Sequence, residues 1–366
     1  MLAYAKLLTF KMFKLIKLYV LRKLKDISVF KLIILCTLCS LAIGGLASKV
    51  AMHYSKPLLK IKLLNSFQSY RLFSYKNLPL LLREVLSEKY RIAIDNSNYD
   101  MVFATPFGNE DINDPVIDKK AIKIFFTSEA KKPIIKNYDL SIGFNHINDP
   151  RYIRIPLYYQ LEIAHKISIN YVKYKDQGNC NPHKKEFACF LVSNSMQGNS
   201  PHNNEPLDGI AARNSIFHKL SEYKHVASGG AHLNNVGRKI TGHETTMWLS
   251  QCKFVIAYEN QSYDGYITEK LFQAYFNGAI PIYYSHQNSV KDINKKAIIY
   301  AGDFKDEDAL VEYVKKVDSD DKLYCDIWNQ NIIINPNQDY EVVKAKLRAK
   351  INPILEAKMK QKPSHY

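Results

Sequence analysis

The sequence lacks several features that would place it in a common class. It lacks the repeated hydrophobic runs of a multi-span membrane protein, because its one uncharged, mostly apolar run covers only residues 32–47. Its six cysteines match no zinc spacing and indicate no disulfide scaffold, so we predict buried or incidental thiols. Residues 64–341 carry a net charge of only about −1, which argues against a nucleic-acid-binding surface.

Positive charge is concentrated at the two ends instead. Residues 1–63 carry a net charge of +11 and residues 342–366 one of +6. Basic ends on a neutral body favour contact with an anionic lipid surface, although solubilising tails have the same composition. We predict a membrane-anchor region over residues 1–63 and a basic helical tail over residues 331–366. The anchor would be an amphipathic helix at the interface or a single signal anchor, and a cleaved signal peptide is the less favoured alternative.

Between the ends, short apolar runs alternate with amphipathic segments. Runs such as 121–129 and 187–194 predict strands, and the alternation of strands with helices predicts parallel sheets with right-handed crossovers. We therefore expect an α/β fold with two Rossmann-like domains facing across a cleft. The domains would cover residues 64–175 and 185–330, joined by a polar linker over residues 173–186. Ligands of such sheets bind beyond the carboxyl ends of the strands.

The stretch 254–285, FVIAYENQSYDGYITEKLFQAYFNGAIPIYYS, carries the clearest chemistry. A strand ending at Asn260 is followed by a loop and by Thr268, a predicted helix N-cap. The unpaired amides of the first helical turn and the ammonium of Lys270 suit a phosphate. Glu269 would repel phosphate, but its carboxylate can accept two hydrogen bonds from a vicinal diol such as a ribose. The pair predicts a nucleotide site; the alternative is that Glu269 favours the helix dipole while Lys270 is solvated.

The same stretch resembles the signature of the α-1,3/1,4-fucosyltransferases, glycosyltransferase family 10, and is closest to its bacterial members. Weaker matches extend the resemblance over about residues 90–330. It implies a GT-B fold in which GDP-fucose is bound mainly by the C-terminal domain. The matching segments are Tyr258-Glu259-Asn260, Asp264-Gly265-Tyr266-Ile267-Thr268-Glu269-Lys270 and Ala279-Ile280-Pro281-Ile282, with FFTSE at 125–129, FLVSN at 190–194, Arg213-Asn214 and SGG at 228–230 in support.

The resemblance implies a role for five residues of the C-terminal domain. Arg213 and Lys270 would grip the diphosphate, and the guanidinium fork of Arg213 suits two phosphate oxygens. Glu269 would bind the ribose. Asn260 and Tyr266 would line the nucleotide-sugar pocket.

The implied reaction inverts the anomeric centre, so it needs one general base for the acceptor hydroxyl. Glu129, at the end of the FFTSE strand, matches the candidate base of the family, and Glu110 is its rival without motif support. Because the two cations would stabilise the leaving diphosphate, we expect no obligatory cofactor and no metal site, and leave a stimulatory divalent ion open. The Asp-x-Asp pattern in residues 318–321 is interpreted as helix capping. Three loop histidines are assigned no ligand role: His146, His202 and His232.

The sequence therefore predicts inverting transfer of L-fucose from GDP-β-L-fucose to N-acetylglucosamine in a glycan, through an α-1,3 or α-1,4 linkage. The acceptor would be of the lacto-N-biose or N-acetyllactosamine type, as in Lewis antigens or lipopolysaccharide. The alternatives are a related inverting transferase for another nucleotide sugar and a non-catalytic adaptor at the membrane surface. We expect a membrane surface and no nucleic acid as partner. The body is placed at the cytoplasmic face of a bacterial inner membrane, although the positive-inside rule favours a single-pass type II protein.

Overall fold

In the computed structural model, the chain from Leu58 onward forms one compact unit, and the first domain therefore begins at Leu58 rather than at residue 64. The predicted anchor segment before residue 56 lies outside the described residues, as do Glu110 and His202. No helix in the described part of the chain is long and apolar enough to cross a membrane. The structure describes residues 56–65, 78–108, 111–114, 117–160, 165–167, 179–196, 198–201, 204–242 and 244–359.

The first domain is built on a parallel sheet with strand order β2-β1-β3-β4-β5-β6. All residues of β3 and β5 are buried, as expected for strands that are covered on both faces of a parallel sheet. Helix α1 (Leu80–Lys89) connects β1 to β2 and buries a row of leucines against the sheet. The strands are β1 (Leu58–Leu64), β2 (Arg91–Ile94), β3 (Met101–Ala104), β4 (Ile122–Phe126), β5 (Leu140–Gly143) and β6 (Tyr152–Arg154).

The second domain has a parallel sheet of its own, with strand order β11-β10-β9-β7-β8. The predicted alternation of strands and helices is confirmed, and α2 begins at Asp208. The strands are β7 (Glu186–Phe190), β8 (Val226–Ser228), β9 (Cys252–Ile256), β10 (Ile280–Tyr283) and β11 (Ile299–Tyr300). The helices are α2 (Asp208–Tyr223), α3 (Glu244–Leu249), α4 (Glu269–Phe276), α5 (Glu307–Ser319), α6 (Asp321–Trp328) and α7 (Tyr340–Met359).

The last helix, α7, returns to the first domain and packs against α1 and β4. Its apolar face is buried, while two of its cations pair with acids of α1. Lys344 Nζ lies 2.8 Å from Glu84 Oε2, and Arg348 donates to both carboxylate oxygens of Glu88 at 2.6 Å. The part of the predicted basic tail that forms α7 is therefore a packed helix, whose cations contact other parts of the protein.

The cysteines contradict the sequence-based interpretation. Cys180 is bonded to Cys325, and Cys189 to Cys252, with 5.8 Å between the Cα atoms in each pair. The second disulfide joins β7 to β9, which are neighbours in the sheet. The partners are 145 and 63 residues apart in sequence, so their spacing gave no sign of the pairing. The prediction of incidental thiols is wrong for these four residues.

The acidic run at residues 318–321 has two structural roles. Asp320 caps α6 by accepting a hydrogen bond from the backbone N of Leu323 at 2.9 Å, which confirms the capping interpretation for this residue. Asp318 is buried instead beside Lys253, with 3.0 Å between Nζ and Oδ1. It therefore balances the buried charge of Lys253 and does not cap a helix.

Candidate active site

The site is centred on the loop that joins β9 to α4 at the carboxyl end of the second sheet. The predicted N-cap is confirmed, because Thr268 Oγ1 accepts a hydrogen bond from the backbone N of Lys270. Helix α4 begins at Glu269, so its first amides and the side chains of Glu269 and Lys270 lie at the same end of the helix. This is the edge of a parallel sheet at which ligands bind.

A buried carboxylate, Glu259, organises this loop. Its side chain has no solvent exposure, and its two oxygens accept four hydrogen bonds. Oε1 accepts from the backbone N of Thr268 at 2.7 Å and from the hydroxyl of Tyr283 at 3.1 Å. Oε2 accepts from the Thr268 hydroxyl at 2.7 Å and from Lys270 Nζ at 3.2 Å. The loop and the start of α4 are thus bound to one charged group.

Lys270 is the cation of the motif. Its ammonium also donates to Thr268 Oγ1 at 2.9 Å and lies 3.7 Å from Glu269 Oε1. Burial alone lowers the pKa of Lys270, but the carboxylates of Glu259 and Glu269 outweigh burial and raise it above its ordinary value. The side chain of Lys270 is 23% exposed, so a ligand can reach it while it stays charged.

Arg213 comes to the same loop from α2. Its Nη1 donates to Asn260 Oδ1 at 2.6 Å, and its Nη2 donates to the backbone carbonyl of Asn194. Helix α2 can approach this closely because its first turn contains Gly209, where a Cβ would lie 2.0 Å from the carbonyl oxygen of Glu259. Burial lowers the pKa of Arg213 to about 10, which still leaves the guanidinium charged at neutral pH. Its Nε is buried and has no hydrogen-bond partner.

Glu129 faces this group from the first domain. It follows β4 at the carboxyl end of that strand and is half-buried. Burial raises the pKa of Glu129; Lys270 opposes this shift and Glu269 adds to it. The carboxylate of Glu129 therefore interacts electrostatically with both residues at the start of α4. Arg213 in turn lowers the pKa of Lys270, so charged groups from both domains share one site.

The two domains touch beside this site. Gly265 has a positive φ of 75°, and a Cβ at this position would lie 2.1 Å from the carbonyl oxygen of Phe144 at the end of β5. Its neighbour Tyr266 is buried against the ring of Phe144, with 5.2 Å between the ring centroids. Asn145 donates from Nδ2 to the carbonyl of Asp264 at 3.3 Å. The loop of the second domain is thereby fixed against the first sheet.

All six residues singled out from the sequence lie around this site: Glu129, Arg213, Asn260, Tyr266, Glu269 and Lys270. Sequence reasoning gave no role to Glu259, although a carboxylate at the end of the apolar run KFVIAY was a signal for a buried polar group. His146 contacts Asp264 Oδ1 at 3.2 Å, and His232 contacts Asn214 Oδ1 at 3.0 Å. Both histidines thus have protein partners.

The arrangement suits a reaction in which a phosphate-containing anion is the leaving group. Two cations and the first amides of α4 can hold a phosphate group, while a carboxylate with a raised pKa stands opposite as a proton acceptor. The part of the chain that the structure describes has no group of three or more His, Cys, Asp or Glu side chains that could hold a metal ion. Independence from metal ions remains a prediction.

Two family profiles match the sequence. The profile described as "Glycosyltransferase family 10 (fucosyltransferase) C-term" matches residues 181–351, which contain the loop and both cations. The profile of the "Alpha-(1,3)-fucosyltransferase FucT N-terminal domain" matches residues 71–161, which contain Glu129.

Individual proteins show the same similarity. The alpha-(1,3)-fucosyltransferase FucT of Helicobacter pylori is 30% identical over 325 residues, which cover 80% of this chain and 63% of that relative. The bovine 4-galactosyl-N-acetylglucosaminide 3-alpha-L-fucosyltransferase 9 is 28% identical over 158 residues, 42% of this chain and 40% of the relative. This chain thus spans less than two thirds of the length of either relative.

The fold is also similar to solved structures. A crystal structure of an alpha1,3-fucosyltransferase superimposes with a TM-score of 0.65 at 27% identity, covering 83% of this chain and 91% of the other. A crystal structure of an alpha1,3-fucosyltransferase with GDP-fucose gives a TM-score of 0.62 at 25% identity, covering 81% and 91%.

Proposed function

Because this chain belongs to glycosyltransferase family 10, the fucosyltransferases, we propose that it transfers L-fucose from GDP-β-L-fucose to a hydroxyl of N-acetylglucosamine in a glycan. The observation that carries the proposal is the electrostatic interaction of Glu129 with Lys270, which in turn interacts with Arg213. A proton acceptor on one domain and two cations on the other are what a single displacement at a sugar phosphate requires.

In the proposed reaction, Glu129 takes the proton of the acceptor hydroxyl as its oxygen attacks the anomeric carbon of fucose. The bond from that carbon to the phosphate oxygen breaks, GDP leaves, and the configuration inverts. Lys270 and Arg213 stabilise the charge that develops on the diphosphate. A raised pKa makes the ionised carboxylate of Glu129 a stronger base than an ordinary carboxylate.

The donor would be held by the remaining residues of the motif. Glu269, which is one third exposed at the first turn of α4, would accept hydrogen bonds from the ribose. Asn260 and Tyr266 would line the pocket. Arg213 is closed off from solvent, and both of its terminal nitrogens have partners, so the diphosphate would have to replace at least one of them.

The acceptor and the cellular location belong to the same proposal. We infer an α-1,3 linkage to a glycan of the N-acetyllactosamine type, because the relatives above carry α-1,3 activity in their names. On a lacto-N-biose acceptor, where galactose occupies position 3 of N-acetylglucosamine, the linkage would be α-1,4. No cofactor is required in this proposal. The basic N-terminal region would attach the chain to a membrane surface. The basic ends and the need for GDP-fucose favoured a cytoplasmic body, but the two disulfides, like the positive-inside rule, favour the type II alternative with the body on the oxidising side.

The experiment is an acceptor array with GDP-fucose and a panel of other sugar nucleotides, in which Glu129→Gln serves as the control. We expect fucose transfer to N-acetylglucosamine-containing acceptors and a rate loss of about 10²- to 10⁴-fold in the variant, with GDP binding retained. Transfer from another sugar nucleotide would favour the related transferase. An absence of binding to every sugar nucleotide would favour the adaptor.

A further inference from the structure

We propose that Glu259 is a positioning residue of this site, whose buried carboxylate holds the ammonium of Lys270 in place for the diphosphate of the donor. The inference rests on the proposed function and names a further residue for it. It follows from three properties of Glu259: complete burial, hydrogen bonds at both oxygens, and a location between the strand that ends at the site and the helix that begins there.

Burial of this carboxylate demands compensation. An isolated charge inside a protein costs several kcal/mol, and such a group persists only when it is paired and hydrogen-bonded. Lys270 is the cation in direct contact with Glu259, with 3.2 Å between Nζ and Oε2. Three further hydrogen bonds, two from Thr268 and one from Tyr283, use the remaining acceptor capacity of Glu259.

The geometry leaves Lys270 partly free for a ligand. Its ammonium carries three protons, and the contacts with Glu259 and Thr268 direct two of them to the protein interior. Beyond these two contacts, Nζ lies 3.7 Å from Glu269 Oε1 and the side chain is 23% exposed, so the third proton can serve a ligand. Glu259 thus fixes the rotamer of Lys270 before the donor binds. Without this contact, the long side chain would lose conformational freedom on binding, and that loss would weaken the affinity for the donor.

Glu259 also acts on the charge of the site. It raises the pKa of Lys270, as Glu269 does, whereas Arg213 lowers it. The other ionisable groups that interact with this cluster are Glu129, the buried Tyr266, and Tyr283, which donates to Glu259. Removing the charge of Glu259 leaves Glu269 in place, so Lys270 would deprotonate at lower pH than in the wild type.

The test measures GDP affinity, KM for GDP-fucose and kcat against pH for Glu259→Gln. We expect the Kd of GDP to rise about 10- to 100-fold, the range for a lost hydrogen bond to a charged group. We also expect the basic limb of the binding profile to move to lower pH. A purely structural role would lower the amount of active protein without moving that limb.

Tyr283→Phe is the matched control. It removes one hydrogen bond to the same carboxylate but leaves the charge, so the basic limb should stay where it is in the wild type. A limb that moves equally in Tyr283→Phe and Glu259→Gln would overturn the inference, as would one that moves in neither.

A double variant covers the case in which Glu259→Gln does not fold. Glu259→Gln combined with Lys270→Gln removes both members of the buried ion pair together and keeps Arg213 on its neutral partners Asn260 and Asn194. It should bind GDP within about 2-fold of Lys270→Gln alone, because Glu259 acts through Lys270. A further tenfold loss in the double variant would overturn the inference. If the wild type itself neither binds nor turns over GDP-fucose, the proposed function fails instead, so the two failures are distinguishable.

Discussion

The two domains contribute to the site in opposite ways. On the second domain, the charged groups are tied into one network in which Glu259 and Arg213 have no solvent exposure. On the first domain, the contribution singled out is Glu129, a half-buried carboxylate on a loop. The cations are thus built into the domain interior, whereas the base lies where an acceptor can approach it.

This difference indicates a division of labour. The diphosphate of a nucleotide-sugar donor is always negatively charged, so a fixed set of cations held by buried partners suits it. A glycan acceptor varies in shape, and only its reacting hydroxyl must meet a defined group. The structure therefore predicts strong effects when the network is disturbed and graded effects when the surroundings of Glu129 are changed.

Among the changes on the second domain, Arg213→Lys should reduce activity most. Lysine keeps the charge but cannot donate to Asn260 and to the Asn194 carbonyl at once. We expect kcat/KM for GDP-fucose to fall about 10²- to 10³-fold. Arg154→Lys is the matched control, because Arg154 also bridges two partners, the Phe144 carbonyl and Asp292. Comparable activity losses in both variants would contradict a special role for Arg213.

Gly265→Ala tests whether activity depends on the close contact between the two domains. An added Cβ would meet the carbonyl oxygen of Phe144 at 2.1 Å, and the loop would have to move away from the first domain. A displacement of this size can cost about 10²-fold in rate. Gly242→Ala is the control, since Gly242 also has a positive φ but no atom within 4 Å of the added Cβ. It should lose some stability, and an equal loss of kcat in both variants would assign the effect to backbone strain.

The pH dependence sharpens the comparison from the side of Glu129. The base must be ionised, and burial raises its pKa, so kcat/KM should fall on the acid side at higher pH than for an ordinary glutamate. Glu269 adds to that shift, and Glu269→Gln should therefore move the acid limb to lower pH. The measurement is kcat/KM against pH, with Glu312→Gln on the exposed face of α5 as the control. An acid limb that stays fixed in Glu269→Gln would show that Glu129 does not interact with the start of α4.

The sequence predicted those parts of the molecule that depend on neighbours along the chain. Strand and helix alternation indicated parallel sheets, and the run from Asn260 to Lys270 indicated an anion site because its chemistry lies within one loop and one helical turn. The opposing position of Glu129 came from the resemblance. No local pattern could have placed it near Lys270, since 141 residues separate the two positions in the sequence.

The parts that the sequence did not reveal depend on distant contacts. The four hydrogen bonds to Glu259 come from two other segments, residues 268–270 and Tyr283, which reach it only in the fold. Helix α7 reads as a basic tail until its partners Glu84 and Glu88 on α1 are known. The cysteines read as isolated thiols until β7 and β9 are seen to be adjacent. In each case the charge or reactivity of a residue was visible, but its partner was not.

The cross-links extend the contrast between the domains to stability. Both disulfides lie in the second domain, while residues 58–160 contain no cysteine. Removing one native disulfide costs about 2–5 kcal/mol in small domains, so Cys189→Ala/Cys252→Ala should lower the Tm clearly. Activity below the Tm should change little, because neither cysteine contacts the site. Cys180→Ala/Cys325→Ala is the matched variant at the half-exposed pair, and a reductant should mimic it first. Unchanged thermal stability in both variants and in reductant would show that these bonds do not support the donor side.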